Sequence, residues 1–275
     1  METALAAAVF SGCVWGVTPL LYAEASREGG SARANFWKSL GALSLLLLIS
    51  LATGDLGVPP PVALPYIALN TALGTGFADY TFLRSIALIG PGRAAPIGFT
   101  YLIWSALLPS LMIGEPFSAG VLLGASLALA GIWLISRGGG RWALRGVVLS
   151  LLSSIGWTLG PIAAKISMKY VSELTLTTWN SLMVTVAYGL LSAPSPRVRG
   201  MGKAAIGGAV GVGLALPLYF HAVKVLGVAV ASLTTALGPV VSLLLSSLGG
   251  GGLDRSSILG GVLVVTGIML AVAQL

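Results

Sequence analysis

A single carboxylate and a handful of cations stand inside stretches otherwise built of hydrocarbon. Asp79 lies near the middle of the apolar stretch 64–88, and Arg84 follows it toward the end of the same stretch. Lys38 interrupts 34–52, His221 and Lys224 interrupt 203–225, and Lys165 closes 145–165. A carboxylate in hydrocarbon is costly unless it is paired, protonated or wetted from a cavity. Asp79 is therefore suited to bind a solute group or a coupling proton, and equally to make a structural hydrogen bond between helices. Arg84 offers a planar fork of donors to an anionic group; alternatively its long stem carries the charge out to the membrane surface. His221 occupies the corresponding place later in the chain, where a lone histidine serves either binding or packing. Snorkelling is the expected role of Lys165 and Lys224.

Trp15 and Trp157 each precede a proline by four residues, Pro19 and Pro161. Proline removes a helix hydrogen bond and permits a bend, and indole supplies a flat apolar face with one donor. The two pairs read as gates with a wall beside them, or as static kinks. Tyr80, Tyr101 and Tyr219 are candidate cavity walls, with helix packing as the alternative. The sequence has no Walker-type phosphate loop, and one histidine and one cysteine, Cys13, make no metal cluster. No cofactor is expected, and energy must come from a gradient, such as a proton, or from an exchanged counter-solute.

The elements that would carry these residues follow from composition. Of 275 residues, 56% are apolar and 8% charged, against roughly 25% charged in soluble domains. Such a chain cannot solvate a globular surface, so it is read as multi-pass in the cell membrane, with lipid as its surroundings. Apolar stretches cover 3–22, 34–52, 64–88, 94–113, 117–136, 145–165, 174–193, 203–225, 228–248 and 256–274. Each is close to the ~20 residues that span a bilayer as a helix. Runs such as Leu43 to Leu48 lack the alternation of a β-barrel strand. The start, Met1-Glu2-Thr3, lacks the basic region of a signal peptide, so the first stretch is read as a retained helix. The formal charge of +7 sits in short loops rather than in a stripe, which argues for membrane orientation and against nucleic-acid binding.

The chain also repeats itself. An offset of 142 pairs Ser11 with Ser153, Trp15 with Trp157, Pro19 with Pro161, Trp37 with Trp179, Ser39 with Ser181 and Leu40 with Leu182. The offset slips to 137 for Gly90/Gly227 and Ala94/Ala231, and to 136 for Gly124/Gly260 and Gly131/Gly267. The expected organisation is two five-helix units, 1–140 and 141–275. An odd number of helices inserts the second unit upside down, a known transporter architecture. Loop charge then orients the whole. One side carries Arg27, Arg33, Lys38, Arg84, Arg93, Arg137, Arg141, Arg145, Arg197, Arg199, Lys203 and Arg255; the other carries Lys165, Lys169 and Lys224. The rich side is expected in the cytoplasm, with both termini outside. The spacings Gly120/Gly124 and Gly207/Gly211 are read as packing sites within the chain and set no oligomeric state.

The order Ile86-Ala87-Leu88-Ile89-Gly90, Ala94-Ala95, Gly114-Glu115-Pro116 and Gly124 to Gly131 recurs in part as Tyr219 to Gly227, Ala231-Ser232, Gly238-Pro239 and Gly260 to Gly267. This order resembles the ten-helix drug/metabolite transporter superfamily, in its EamA-type branch, over nearly the whole chain. Trp15 and Trp157 match the tryptophan in the first helix of each half, and Lys38 stands where the family usually has arginine. Leu102 replaces the first-half proline, although Pro239 is kept. Gly252 replaces the second-half glutamate, although Glu115 is kept. The resemblance implies an all-α membrane protein of two inverted five-helix repeats around a cavity. It implies export or exchange of a small organic metabolite, such as an amino acid, by alternating access. A flippase for a lipid-linked substrate, a membrane enzyme and a scaffold without transport are the alternatives.

Overall fold

The computed structural model describes residues 1–136, 143–192, 199–248 and 254–275. Every regular element among these residues is helical. Apolar surroundings explain this: a helix satisfies its own backbone polar groups, and an open strand edge in hydrocarbon would not. The long helix α1 (Glu2–Thr53) is broken at Gly30, where φ is 79° and ψ is 165°. Next, α2 (Leu64–Asn70) runs through a π-helical stretch (Thr71–Ala78) into α3 (Asp79–Ile89). Then come α4 (Pro91–Gly98), α5 (Tyr101–Ile113) and α6 (Ala119–Ile135). The second part follows with α7 (Leu144–Ser167), α8 (Glu173–Ser192) and α9 (Met201–Gly208), which continues through a π-helical stretch (Ala209–Leu214) into α10 (Ala215–Leu226). Finally come α11 (Val228–Thr234), α12 (Leu237–Leu248) and α13 (Arg255–Val272).

Against ten expected spans, seven helical segments among the described residues are long and apolar enough to cross a membrane. Three rods fall outside that group for visible reasons. The apolar α6 has only 17 residues. Asn70, Thr71, Asp79 and Arg84 dilute the α2–α3 rod, and α8 carries four threonines and Asn180. The polar residues that weaken these two rods as spans are among those that build the site described below.

Repeated sequence features produce repeated geometry. Gly90 (φ 78°, ψ 158°) turns α3 into α4, and Gly227 (φ 90°, ψ 161°) turns α10 into α11. Both need a positive φ that only glycine adopts at little cost. Ser118 and Asp254 stand 136 apart, and each caps its helix by accepting from a backbone N–H three residues on. Each π-helical stretch precedes the α-helix that carries an aromatic face. The glycine pairs singled out in the sequence do face helices of the same chain. A Cβ at Gly124 would meet the Gly267 carbonyl of α13, and one at Gly207 or Gly211 would meet Tyr22 of α1.

The bundle has two distinguishable ends. At one, Trp179 Nε1 donates to Gly57 O at 3.0 Å, and Ser118 Oγ lies 3.4 Å from Gln274 Oε1 near the C-terminus. At the other, Lys203 Nζ pairs with Glu24 at 2.9 Å and Ser85 Oγ donates to Gly146 O at 2.8 Å.

Candidate functional site

Asp79 begins α3 directly after the π-helical stretch. Such stretches widen the helix, release peptide carbonyls from the regular ladder and recur at functional sites. Here the released groups are used. Asn35 Nδ2 donates to Thr75 O at 3.3 Å, Tyr188 Oη donates to Gly76 O at 2.9 Å, and Thr75 Oγ1 donates to Asn180 Oδ1 at 2.6 Å. The chain thus draws α1 and α8 around the segment that presents Asp79.

The carboxylate has two partners from different parts of the chain. Lys38 Nζ on α1 forms an ion pair with Oδ2. Trp157 Nε1 on α7 donates to Oδ1 at 2.8 Å. The Lys38 side chain is 6% exposed and that of Asp79 24%. So the cation is buried while the carboxylate keeps one open aspect. The Lys38 backbone lies so close to Gly208 of α9 that even a Cβ there would collide with Lys38 O. Snorkelling, the usual resort of a lysine in a membrane helix, is not used.

Trp157 is held in place by rings. Its ring centroid lies 4.7 Å from Phe82 and 5.8 Å from Tyr101. The repeat mate Trp15 stacks on Tyr219 at 5.1 Å and donates to Gly211 O at 2.7 Å. Phe82 and Tyr219 stand at the 137 offset, so both tryptophans use equivalent ring partners. The acceptor differs: a side-chain carboxylate for Trp157, a backbone carbonyl for Trp15. Tyr101 and Tyr219 are buried, and their hydroxyls meet Thr235 and Ser232. They fasten α5 and α10 to the α11 segment rather than presenting free hydroxyls to a cavity. Tyr80 packs on Tyr188 at 6.2 Å, beside the site.

The remaining expected residues lie apart. Arg84 is exposed, and among the described residues no hydrogen bond or ion pair reaches it. His221 is 3.5 Å from Glu173, which Lys224 also contacts at 3.2 Å, at the end of the bundle away from Glu24. Lys165 pairs with Glu115 rather than snorkelling. Pro161 is buried inside a continuous α7. Pro19 lies within α1, its side chain outside the described residues, as are Arg137, Arg141, Arg197 and Gly252 altogether.

Sequence reasoning missed Asn35, Thr75, Asn180 and Tyr188. A signal was present: the chain has only three asparagines, Asn35, Asn70 and Asn180, and all three are buried beside the first π-helical stretch. Asn35 Oδ1, Asn180 Nδ2 and Ser181 Oγ have no partner among the described residues. They add spare polar capacity near the ion pair. Among the described residues no three His, Cys, Asp or Glu side chains gather as a metal site.

Trp157→Phe tests the indole donor. Phenylalanine keeps one aromatic ring for Phe82 and Tyr101 and removes the N–H with the second ring of the indole. A hydrogen bond to a charged group contributes about 1.5–3 kcal/mol, so transport is expected to fall about tenfold or more with the fold intact. Trp15→Phe removes a hydrogen bond to a neutral carbonyl and has the smaller effect. Equal losses in flux assays of the two variants would count against a special role for Trp157.

These helices make a polytopic membrane protein with an ion pair set between them. The model of the EamA-like transporter family matches residues 3–137 and 144–273. The chain belongs to that family, and a general transporter role follows. Among curated proteins, the "uncharacterized transporter YdfC" of Bacillus subtilis (strain 168) is 26% identical over 249 residues, covering 83% of this chain and 77% of that protein. A protein of known crystal structure superposes with a TM-score of 0.81 at 18% identity, over 100% of this chain and 98% of its own. That likeness speaks for the fold alone.

Proposed function

We propose that the chain is a secondary transporter that exports or exchanges a small organic metabolite, such as an amino acid, by alternating access. Ten spans would form two inverted five-helix units, 1–140 and 141–275, and the arginine-rich end would face the cytoplasm. The observation that carries this reading is the Lys38–Asp79 pair, whose carboxylate is also held by Trp157 from the second unit. An ion pair buried in a membrane protein is expensive to assemble. It is well placed to be opened by a solute bearing both charges, because each partner then trades one opposite charge for another. Trp157 would register that exchange in the second unit, so binding and rearrangement are coupled. The equivalent aromatic contacts of Trp15 and Trp157 support two gates of common design. A proton exchanged at Asp79 or a counter-solute would supply the driving force. No observation favours lipid-linked flipping, enzymatic chemistry or a scaffold over this reading.

Flux in proteoliposomes tests it. Vesicles loaded with a panel of amino acids should show saturable exchange against at least one labelled member. Asp79→Asn should abolish saturable flux, and Arg84→Leu, at an exposed unpartnered site, should leave it near the wild-type rate. Full flux in Asp79→Asn would remove the ion pair from the mechanism.

A further inference from the structure

Glu115 lies outside the ion-pair site, and its contacts join three separate segments. It sits in the loop between α5 and α6 with its side chain 11% exposed. Its Oε1 pairs with Lys165 Nζ near the end of α7. Both carboxylate oxygens also accept from the backbone N–H of Val228, at 3.1 and 3.0 Å, where α11 begins. The turn that aims this N–H is Gly227, and a Cβ there would come within 3.0 Å of Glu115 Oε2. One carboxylate therefore ties the α5–α6 loop, α7 and α11 together at the termini end of the bundle. A cavity of about 290 Å³, lined by Glu115, Lys165 and Lys169 among others, opens beside it. Water has a route to release the tie.

The repeat supplies a built-in control. The place corresponding to Glu115 is Gly252, flanked by Gly250 and Gly251. The place corresponding to Lys165 is Ala23 at the 142 offset, and that of Val228 is Pro91 at the 137 offset. Carboxylate, ammonium and backbone N–H are each replaced by a residue that lacks the group, since proline has no N–H. The Glu173, His221 and Lys224 cluster at the same end likewise maps onto Ser31, Arg84 and Ala87. One contact at the opposite end, among the described residues, is the Lys203–Glu24 pair, whose side chains are 65% and 31% exposed, a class of contact that contributes little in water.

We propose that Glu115, Lys165 and the Val228 N–H form a latch that holds the termini end of the transporter shut, and that the repeat-related residues of the opposite end, Gly252, Ala23 and Pro91, do not reproduce it. The protein accordingly rests with its solute site reachable from the arginine-rich end. The transport cycle must break the latch to release solute at the termini end, and its reclosure returns the protein to the loading state. The inference rests on the two-gate reading proposed above, but its test reads distances rather than flux. A protein that fails to transport can still show the latch.

Spin labels at Phe117→Cys and Tyr170→Cys, in a Cys13→Ser background, report separation across the latched end, and both native side chains are largely exposed. Electron–electron distance measurements on the full chain in nanodiscs should give one dominant short distance. Glu115→Gln keeps an acceptor for Val228 N–H and loses the charge, so the fold is preserved. It should raise the ratio of long to short distances about tenfold, the scale of one charge-assisted hydrogen bond. Lys165→Met should do the same, whereas Lys203→Met at the other end should leave the distribution unchanged. Unchanged distributions in both latch variants would overturn the proposal. So would a shift of equal size in Lys203→Met, because the ends would then not be unequal.

Discussion

Asp79→Leu is expected to destabilise the protein by about 3–5 kcal/mol, the scale of an ion stranded in the interior, and the double variant Lys38→Met/Asp79→Leu should recover most of that loss. The single change leaves the Lys38 ammonium, 6% exposed, with no opposite charge. Asn35, one turn back on α1, has an acceptor to spare in Oδ1 but no charge to offer. The converse variant, Lys38→Met, strands a carboxylate that is 24% exposed and still holds the Trp157 donor. Its cost should be the smaller of the two. Thermal unfolding of the purified protein in detergent, followed by tryptophan fluorescence, gives the ranking. Transport should be lost in all three variants, because opening the pair is the proposed binding event. A double variant no more stable than Asp79→Leu would mean that Lys38 is not paying an uncompensated charge penalty. A double variant that transports would mean that the pair serves folding alone.

Periodicity and composition carried the fold because lipid leaves few choices. An apolar stretch of about 20 residues must satisfy its backbone internally, so helix type and approximate bounds followed from hydropathy. Gly90 and Gly227 fell between the apolar stretches, and the 137 offset marked them as equivalent places. Spacing also found Asp79, Trp15 and Trp157 as residues of interest. What remained invisible was partnership. Nothing in the local sequence says that Lys38 points inward instead of snorkelling; its partner Asp79 lies 41 residues away and meets it only through tertiary packing. Lys165 was misread as a surface cation because Glu115, 50 residues away, meets it only through tertiary packing. The π-helical stretches were unreadable as well. They depend on Asn35, Tyr188 and Trp15 arriving from other helices to occupy the released carbonyls. Tyr101 and Tyr219 had the same hidden partnership: their hydroxyls meet Thr235 and Ser232 of and beside the short α11 segment.

The same chemical change at two places in α9 should act in opposite directions, and this follows from how the site is positioned. A Cβ added at Gly208 would lie 1.8 Å from Lys38 O and 2.7 Å from Lys38 Cα. Backbone atoms cannot rotate away as a side chain can, so α9 and α1 must separate. Overpacking a tight contact costs about 1–3 kcal/mol, occasionally more, and a contact made wholly with backbone belongs at the upper end. At Gly202 an added Cβ meets nothing within 4 Å. There alanine reduces the freedom of the unfolded chain and favours the helix by up to ~1 kcal/mol. Gly208→Ala should therefore lower the unfolding temperature, and Gly202→Ala should hold or raise it. Transport separates two further possibilities. If the Gly208 contact merely packs helices, flux should fall only in proportion to the folded protein recovered. If it sets the depth of Lys38 against Asp79, flux per folded molecule should also fall, because the displaced ammonium no longer meets the carboxylate squarely. Normal flux per folded molecule in Gly208→Ala would show that the ion pair tolerates movement of α1, and Lys38 would then owe its inward position to Asp79 rather than to the close approach of α9.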